Sequence, residues 1–376
     1  MPNDPADFFS ADELARARTY QRPLARLRLF RAALAVAVVV AFVVGEAGPR
    51  LLDAFDVDNW VLGLLVVMVA LEAASLIYDP VLDMWVDLLH DRRWGLSTQT
   101  GRGLTADAAK SLVLGTVLNV VLLVPLFAII RATPWWWLYG WLLVVGVSVL
   151  AGFLYPVVIA PLFNKFTPLP EGELADRIAA VAERAGVGIS GAFVADASRR
   201  TRRDNAYVAG LGATRRVVLF DTLLEHPPEV VEQVVAHEIG HWRRKHLRLQ
   251  IPVAAALALA VFGALKLALE SQWLLDVAGV DRLGDPGALP LLLLGVQVGF
   301  AVTGLVTAWV SRAFERQADL DALELLRAPD TMLEMQRRLH TKNLADLAPS
   351  RLKRLQGTHP PAAERMAFTR RWAEAQ

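Results

Sequence analysis

Six apolar stretches of the chain, five of them long enough for a bilayer core and one shorter, restrict the fold more strongly than any other feature of the sequence. They run Ala32 to Gly45, Trp60 to Tyr78, Ser111 to Ile130, Thr133 to Phe163, Leu249 to Leu265 and Leu289 to Val310. A helix rises about 1.5 Å per residue, so roughly 20 apolar residues cross a hydrocarbon layer about 30 Å thick. The first stretch is shorter, but Arg31 and Glu46 flank it and can extend their charged ends to the two interfaces. A chain of 376 residues that is 55% hydrophobic and 20% charged agrees with a multi-pass membrane protein built mainly of α-helices.

The loops set the orientation. Gly48 to Asn59 balances Arg50 against Asp53, Asp56 and Asp58, and Ser271 to Gly287 has Arg282 as its only basic residue. The arginine-rich parts are both termini, the Asp79 to Lys110 connection and Asn164 to Arg248. Cytoplasmic loops are enriched in Lys and Arg, so these parts are expected on the cytoplasmic side, which six crossings permit. The chain then divides into a basic cytoplasmic segment (1–31), four membrane helices (32–163), a cytoplasmic segment (164–248), two more membrane helices (249–310) and a cytoplasmic C-terminal segment (311–376). Of 39 basic residues only 6 are lysine, a bias that points to a GC-rich bacterial genome and hence to a bacterial cell membrane. The net charge of +1, with no basic face apart from the membrane-flanking arginines, argues against a nucleic-acid partner. Cysteine is absent, which excludes disulfides and thiolate nucleophiles and leaves His and carboxylate for any metal site.

The polar segment between the fourth and fifth runs carries His237-Glu238-Ile239-Gly240-His241 within a helical pattern. Residues four apart lie one turn above each other, so both imidazoles can reach one metal ion while Glu238 stands beside it to handle the proton of a water molecule. The competing reading is a solvated pair of surface histidines. A catalytic zinc needs three protein ligands and an open position. Just past the sixth run comes Ser311-Arg312-Ala313-Phe314-Glu315-Arg316-Gln317-Ala318-Asp319, in which Glu315 and Asp319 share a helix face. Along straight helices His241 lies about 12 Å before Leu249, and Glu315 roughly 7 Å past Val310. The similar depth makes Glu315 the third ligand of one Zn2+ per chain, with Asp319 holding the outer nitrogen of a ligating histidine. Pro227-Pro228 open the motif helix, which is expected to run unbroken into the fifth span. His246 then falls half a turn off the ligand face, towards solvent or headgroups, and His90, His226 and His340 read as structural.

Upstream, Pro170-Glu171 opens an amphipathic helix to about Gly186, and Gly191 to Ala195 reads as a strand. Asn205 to Leu211 and Arg216 to Phe220 read as a hairpin turning through Gly212. An edge strand beside a metal helix can hold an extended peptide by main-chain hydrogen bonds, although packing alone accounts for the same residues. Glu72 within the second span, and Asp79, Asp83 and Asp87 at four-residue spacing, are costly in lipid and require a wet cavity or paired partners. Trp135, Trp136 and Trp137 read as an aromatic belt, and Lys266 as a residue reaching for the interface.

Taken together, these residues match a known family. The chain resembles the type I CAAX prenyl proteases, integral-membrane zinc metalloendopeptidases. The likeness rests on Ala160-Pro-Leu-Phe-Asn-Lys-Phe-Thr-Pro-Leu-Pro-Glu171, Asn205-Ala-Tyr207, Val217-Val-Leu-Phe-Asp-Thr-Leu-Leu-Glu225, Ala236-His-Glu-Ile-Gly-His-Trp242, Ser311 to Asp319, and Thr358-His-Pro-Pro361. It implies a ring of about six membrane helices around a water-filled chamber, capped by an α+β zinc-protease domain with a small β-sheet. Carried onto matching positions, it implies that Asn205, Tyr207, His359 and Arg365 border the cleft and bind substrate, with Asn205 and His359 assisting the oxyanion. The familiar eukaryotic members have seven spans and a charged insertion before HExxH; this chain has six, and runs from Glu225 to His237 directly.

The expected activity is that of a membrane zinc metalloendopeptidase in which Glu238 assists the attack of water on a peptide bond. Its partners are the lipid bilayer and a polypeptide, either a prenylated CAAX-like tail or an unprenylated membrane-associated chain; the composition favours the second. Two other classes fit part of the sequence: a non-enzymatic membrane scaffold with a structural metal, and a proton-coupled transporter using the intramembrane carboxylates.

Overall fold

The computed structural model describes residues 4–210 and 215–376. Among the described residues six helices are long and apolar enough to cross a membrane: Ala11–Val44, Trp60–Arg93, Gly101–Ala132, Trp136–Phe163, His246–Leu269 and Pro286–Leu326. They coincide with the six apolar runs, and several extend far beyond them, because a helix satisfies its own backbone in lipid and can continue into water. The first starts where Ser10 and Glu13 form a capping box, the Ser10 hydroxyl accepting from the Glu13 amide at 3.2 Å and the Glu13 carboxylate from the Ser10 amide at 2.8 Å. The N-terminal arginines therefore stand on a helix rather than on a loose flank.

Three of the four acidic residues singled out on the second helix, Glu72, Asp79 and Asp83, have found partners, while Asp87 lines a separate pocket with Arg31 and Arg203. Glu72 accepts hydrogen bonds from Thr116 Oγ1 at 2.9 Å and Asn119 Nδ2 at 3.1 Å, both on the third helix. Asp79 and Asp83 each lie 2.7 Å from the Arg31 guanidinium of the first. Lys266 pairs with Glu270 one turn on. The aromatic belt is only partial: Trp135 is exposed, but Trp136 is buried in the membrane core, its ring centroid 6.3 Å from that of Phe262. Neighbouring helical residues point about 100° apart, so three adjacent tryptophans cannot share one environment.

Between the fourth and fifth membrane helices lie β1 (Phe166–Pro168), a helix over Glu173–Arg184, β2 (Ala192–Ala195), β3 (Ala206–Ala209) and β4 (Arg216–Phe220). The sheet order is β1-β2-β4-β3. β3 and β4 pair antiparallel, with Ala206 opposite Leu219 and Ala209 opposite Arg216; β2 and β4 run parallel. The expected hairpin pairing is present, while its turn through Gly212 lies outside the described residues. β3 ends the sheet, so its outer edge has no strand partner among the described residues. This domain has its own core around Ile178, Leu219, Val231, Ile239 and Leu323, separate from the membrane core around Leu64, Phe127, Phe262 and Leu289.

The motif helix does not continue into the membrane. It spans Pro228–Arg243, Lys245 takes a left-handed φ of 57°, and a new helix starts at His246. Arg243, Arg244 and Lys245 crowd the terminal turn, where the helix dipole favours cations, and Arg244 lies 2.7 Å from the buried carboxylate of Asp321 on the sixth helix. This break corrects the expectation of one straight helix.

A cavity of about 1270 Å³ lies among the third to sixth membrane helices, with Asn119, Ser148, Ile251 and Val296 in its wall; it reaches Tyr207 of β3 and Trp242, the neighbour of His241.

Candidate metal centre

Proline at the first turn pre-sets the backbone of the motif helix, whose Val230, Val231, Val235 and Ile239 are buried in the domain core. That burial turns His237 and His241 towards the sixth helix. Their Nε2 atoms are 3.3 Å apart. The two carboxylate oxygens of Glu315 approach them separately, Oε2 at 3.4 Å from His237 Nε2 and Oε1 at 3.5 Å from His241 Nε2. Two ligands bound at about 2.0–2.1 Å in tetrahedral geometry stand roughly 3.3–3.4 Å apart, which is the spacing of the two histidine nitrogens, and one oxygen of Glu315 lies within 4.8 Å of both. Glu315 Oε2 is also buried without any hydrogen-bond partner, a costly state that a cation would relieve. The residues therefore fit a metal, and His237, His241 and Glu315 are the group able to hold it.

Close helix contact makes this possible. Gly240 packs so tightly on the sixth helix that a Cβ there would lie 3.1 Å from the Ala318 carbonyl oxygen and 3.2 Å from Asp321 Cβ. Sequence depth alone predicted the meeting of the two helices; the glycine between Ile239 and His241 shows how near they come.

The surrounding charges are ordered around His237. Asp319 Oδ1 lies 2.9 Å from His237 Nδ1, as expected of a residue that orients a ligand. Burial disfavours charge on His237, but Asp319 and Glu315 outweigh it and bring its pKa up to about 9. Burial raises the Glu238 carboxyl above its ordinary range, against the pull of His237 and His241. A carboxyl shifted upward is better suited to exchange protons near neutral pH.

The remaining expected site residues are distributed unevenly. His359 Nε2 is 3.3 Å from Glu315 Oε1, with its ring otherwise exposed. Tyr207 lines the cavity. Asn205 precedes β3, and its Oδ1 accepts from the Ala206 amide at 3.0 Å. Arg365, expected at the substrate cleft, is instead buried behind the centre and bonded to both oxygens of Asp319, because its helix, Ala362–Glu374, packs against the sixth.

His246 corrects the sequence reading most sharply. It is 2% exposed, and its Nδ1 lies 2.9 Å from Nδ1 of His241. The cation-rich Arg243-Arg244-Lys245 end signal could have revealed the helix break that brings it there. Asp204 was also missed. Its carboxylate is 2.6 Å from His226 Nε2 and accepts from Lys342 Nζ at 2.7 Å, while its backbone exchanges two hydrogen bonds with the Asn343 side chain. These contacts anchor the residue that leads into Asn205 and β3.

Comparison with known proteins agrees with this geometry. Residues 168–373 match peptidase family M48, and residues 1–165 match the family described as CAAX prenyl protease N-terminal, five membrane helices. Four of the six long apolar helices here begin and end within that N-terminal part. A CAAX prenyl protease 1 homolog of Arabidopsis thaliana is 33% identical over 86% of this chain and 76% of its own length. A protein of Bacillus subtilis called uncharacterized metalloprotease YhfN is 33% identical over 75% of this chain and 67% of its own. The crystal structure of S. mikatae Ste24p superposes with a TM-score of 0.87 at 25% identity, covering 98% of this chain and 91% of that one. With a His/Glu group able to hold a metal, the membrane helices and the matched sequence side by side, the chain belongs to peptidase family M48, as a membrane metalloprotease of the CAAX prenyl protease kind.

Proposed function

We propose that the protein is a zinc endopeptidase that cuts membrane-associated polypeptides on the cytoplasmic side of the membrane. The observation that carries this reading is the convergence of His237, His241 and Glu315 next to Glu238, with Trp242 leading directly into the cavity wall. His237, His241 and Glu315 would hold a zinc ion, which when bound would supply Lewis acidity towards water and oxyanion charge. Glu238 takes the proton of the attacking water and hands it to the leaving amine. His359 is the donor we assign to the oxyanion, and Asn205 supports the substrate beside it.

The outer edge of β3 offers backbone N–H and C=O groups to an extended peptide, a grip that asks little of side chains. Tyr207 would contact the bound chain, since it belongs to that strand and faces the cavity. Arg365 acts from behind, through Asp319. The apolar walls suit a substrate with a membrane-anchored or lipid-bearing end, and the CAAX prenyl proteases among the relatives point the same way. Arginine-rich loops on the catalytic side support the cytoplasmic orientation.

The test is cleavage of an unfolded peptide and of a farnesylated peptide by detergent-purified protein, with and without a zinc chelator. Cleavage of either should vanish with chelator and return with Zn2+. Zinc-loaded protein that cuts neither, or cutting that ignores the chelator, defeats the reading.

A further inference from the structure

The contact between His241 and His246 exists only because the chain breaks at Lys245. The left-handed residue ends the motif helix and starts a new one at His246, so the His246 ring leaves the position a straight helix would give it. His246 is then enclosed by the sixth helix. Its ring stacks on Phe314, with centroids 4.2 Å apart and planes 7° from parallel, and its Nε2 is 2.9 Å from Gln317 Oε1. Phe314 and Gln317 flank Glu315 in sequence, so one turn of helix supplies both a ligand and the support for another ligand's neighbour.

Hydrogen-bond logic gives this chain a direction. Two Nδ1 atoms 2.9 Å apart need one proton between them. His241 turns Nε2 to the metal, so as a neutral imidazole it carries its proton on Nδ1 and donates it. His246 Nδ1 must accept, which leaves its own proton on Nε2, facing the Gln317 amide oxygen. The other ligating histidine is backed differently: His237 Nδ1 meets the carboxylate of Asp319. One ligand is thus supported by an anion and the other by a neutral relay, which adds no charge to a site that already buries Glu315 and Asp319.

We propose that His246, with Gln317, is a positioning residue that holds His241 in its Nδ1–H tautomer and sets the angle of its ring towards the metal. The inference rests on the reading of His241 as a ligand through Nε2. A purely structural His246 would fill space against Phe314, and two substitutions separate these roles. His246→Phe keeps a ring for the stack but has no acceptor; His246→Asn gives up the stack but offers an acceptor oxygen.

The experiment measures zinc affinity of the full-length protein by chelator competition, alongside thermal unfolding with saturating zinc. His246→Phe is expected to weaken zinc binding about 10- to 100-fold, the usual cost of losing a ligand's outer partner, and His246→Asn to recover most of that loss. Gln317→Leu should weaken binding in the same direction, which keeps the test open if a His246 variant fails to fold. Wild-type affinity in both His246→Phe and Gln317→Leu would overturn the proposal, as would His246→Asn binding more weakly than His246→Phe. The metal-centre reading fails separately, if His241→Ala binds zinc as tightly as the wild type.

Discussion

Arg365 closes on Asp319 with two hydrogen bonds, 2.8 Å from Nε and 2.5 Å from a terminal nitrogen, and Asp319 passes that constraint to His237 Nδ1 at 2.9 Å. The guanidinium is buried, so it neutralises a carboxylate that water cannot reach. Replacing it by Met leaves that buried carboxylate with His237 Nδ1 in place of a full ion pair, at an expected cost of about 3–5 kcal/mol in stability. Denaturant unfolding of Arg365→Met measures this, and a loss below about 1 kcal/mol would show that Asp319 does not depend on it.

Glu238 stands beside the ligands without being one of the three. Glu238→Gln should therefore bind zinc like the wild type yet cut peptide about 10²- to 10⁴-fold more slowly. Single-turnover cleavage paired with metal analysis checks both halves, and a fully active variant removes Glu238 from the chemistry.

Gly240 sets the distance between the helices that carry the ligands. Val at this position would force its branched carbons against the Ala318 carbonyl and Asp321 Cβ. The expected loss is about 1–3 kcal/mol, together with weaker zinc binding as Glu315 is pushed from the histidines. Gly240→Val with unchanged unfolding and unchanged zinc affinity would mean the contact is not needed.

Lys342 holds Asp204 at the entrance to β3. Burial works against its charge, but Asp204 and Glu225 outweigh it and raise its pKa above the ordinary lysine value. A folded-state pKa that is raised means the stabilisation is complete below the unfolded value of about 10.4 and is lost as pH climbs through the folded one. Lys342→Met should thus be less stable than wild type by about 1.5–3 kcal/mol at pH 8, with the gap closing above about pH 10.4. Unfolding curves from pH 8 to 11 decide it; a gap that does not narrow contradicts the assignment.

The membrane helices, and the meeting of the three residues able to hold a metal, were legible in the sequence because each depends on local order. Apolar length specifies a span, four-residue spacing brings His237 and His241 to one face, and rise per residue carries Glu315 to their depth. The same arithmetic misplaced His246, since it assumed a straight helix and one left-handed residue at Lys245 interrupts it just before His246. Arg365 was legible only as a motif match, and which of its surroundings it would bind depended on how the helix Ala362–Glu374 packs.

By itself, then, the sequence determined that this chain lies in a membrane and carries a histidine-glutamate metal motif, because hydropathy and helical period act over a few turns. The tertiary structure decided which groups stand behind the ligands: Asp319 and Arg365 behind His237, His246 and Gln317 behind His241. A local helix break brings His246 to His241, but the other hydrogen bonds form over about 3 Å between residues far apart in the chain, and only the packing of helices brings such groups that close.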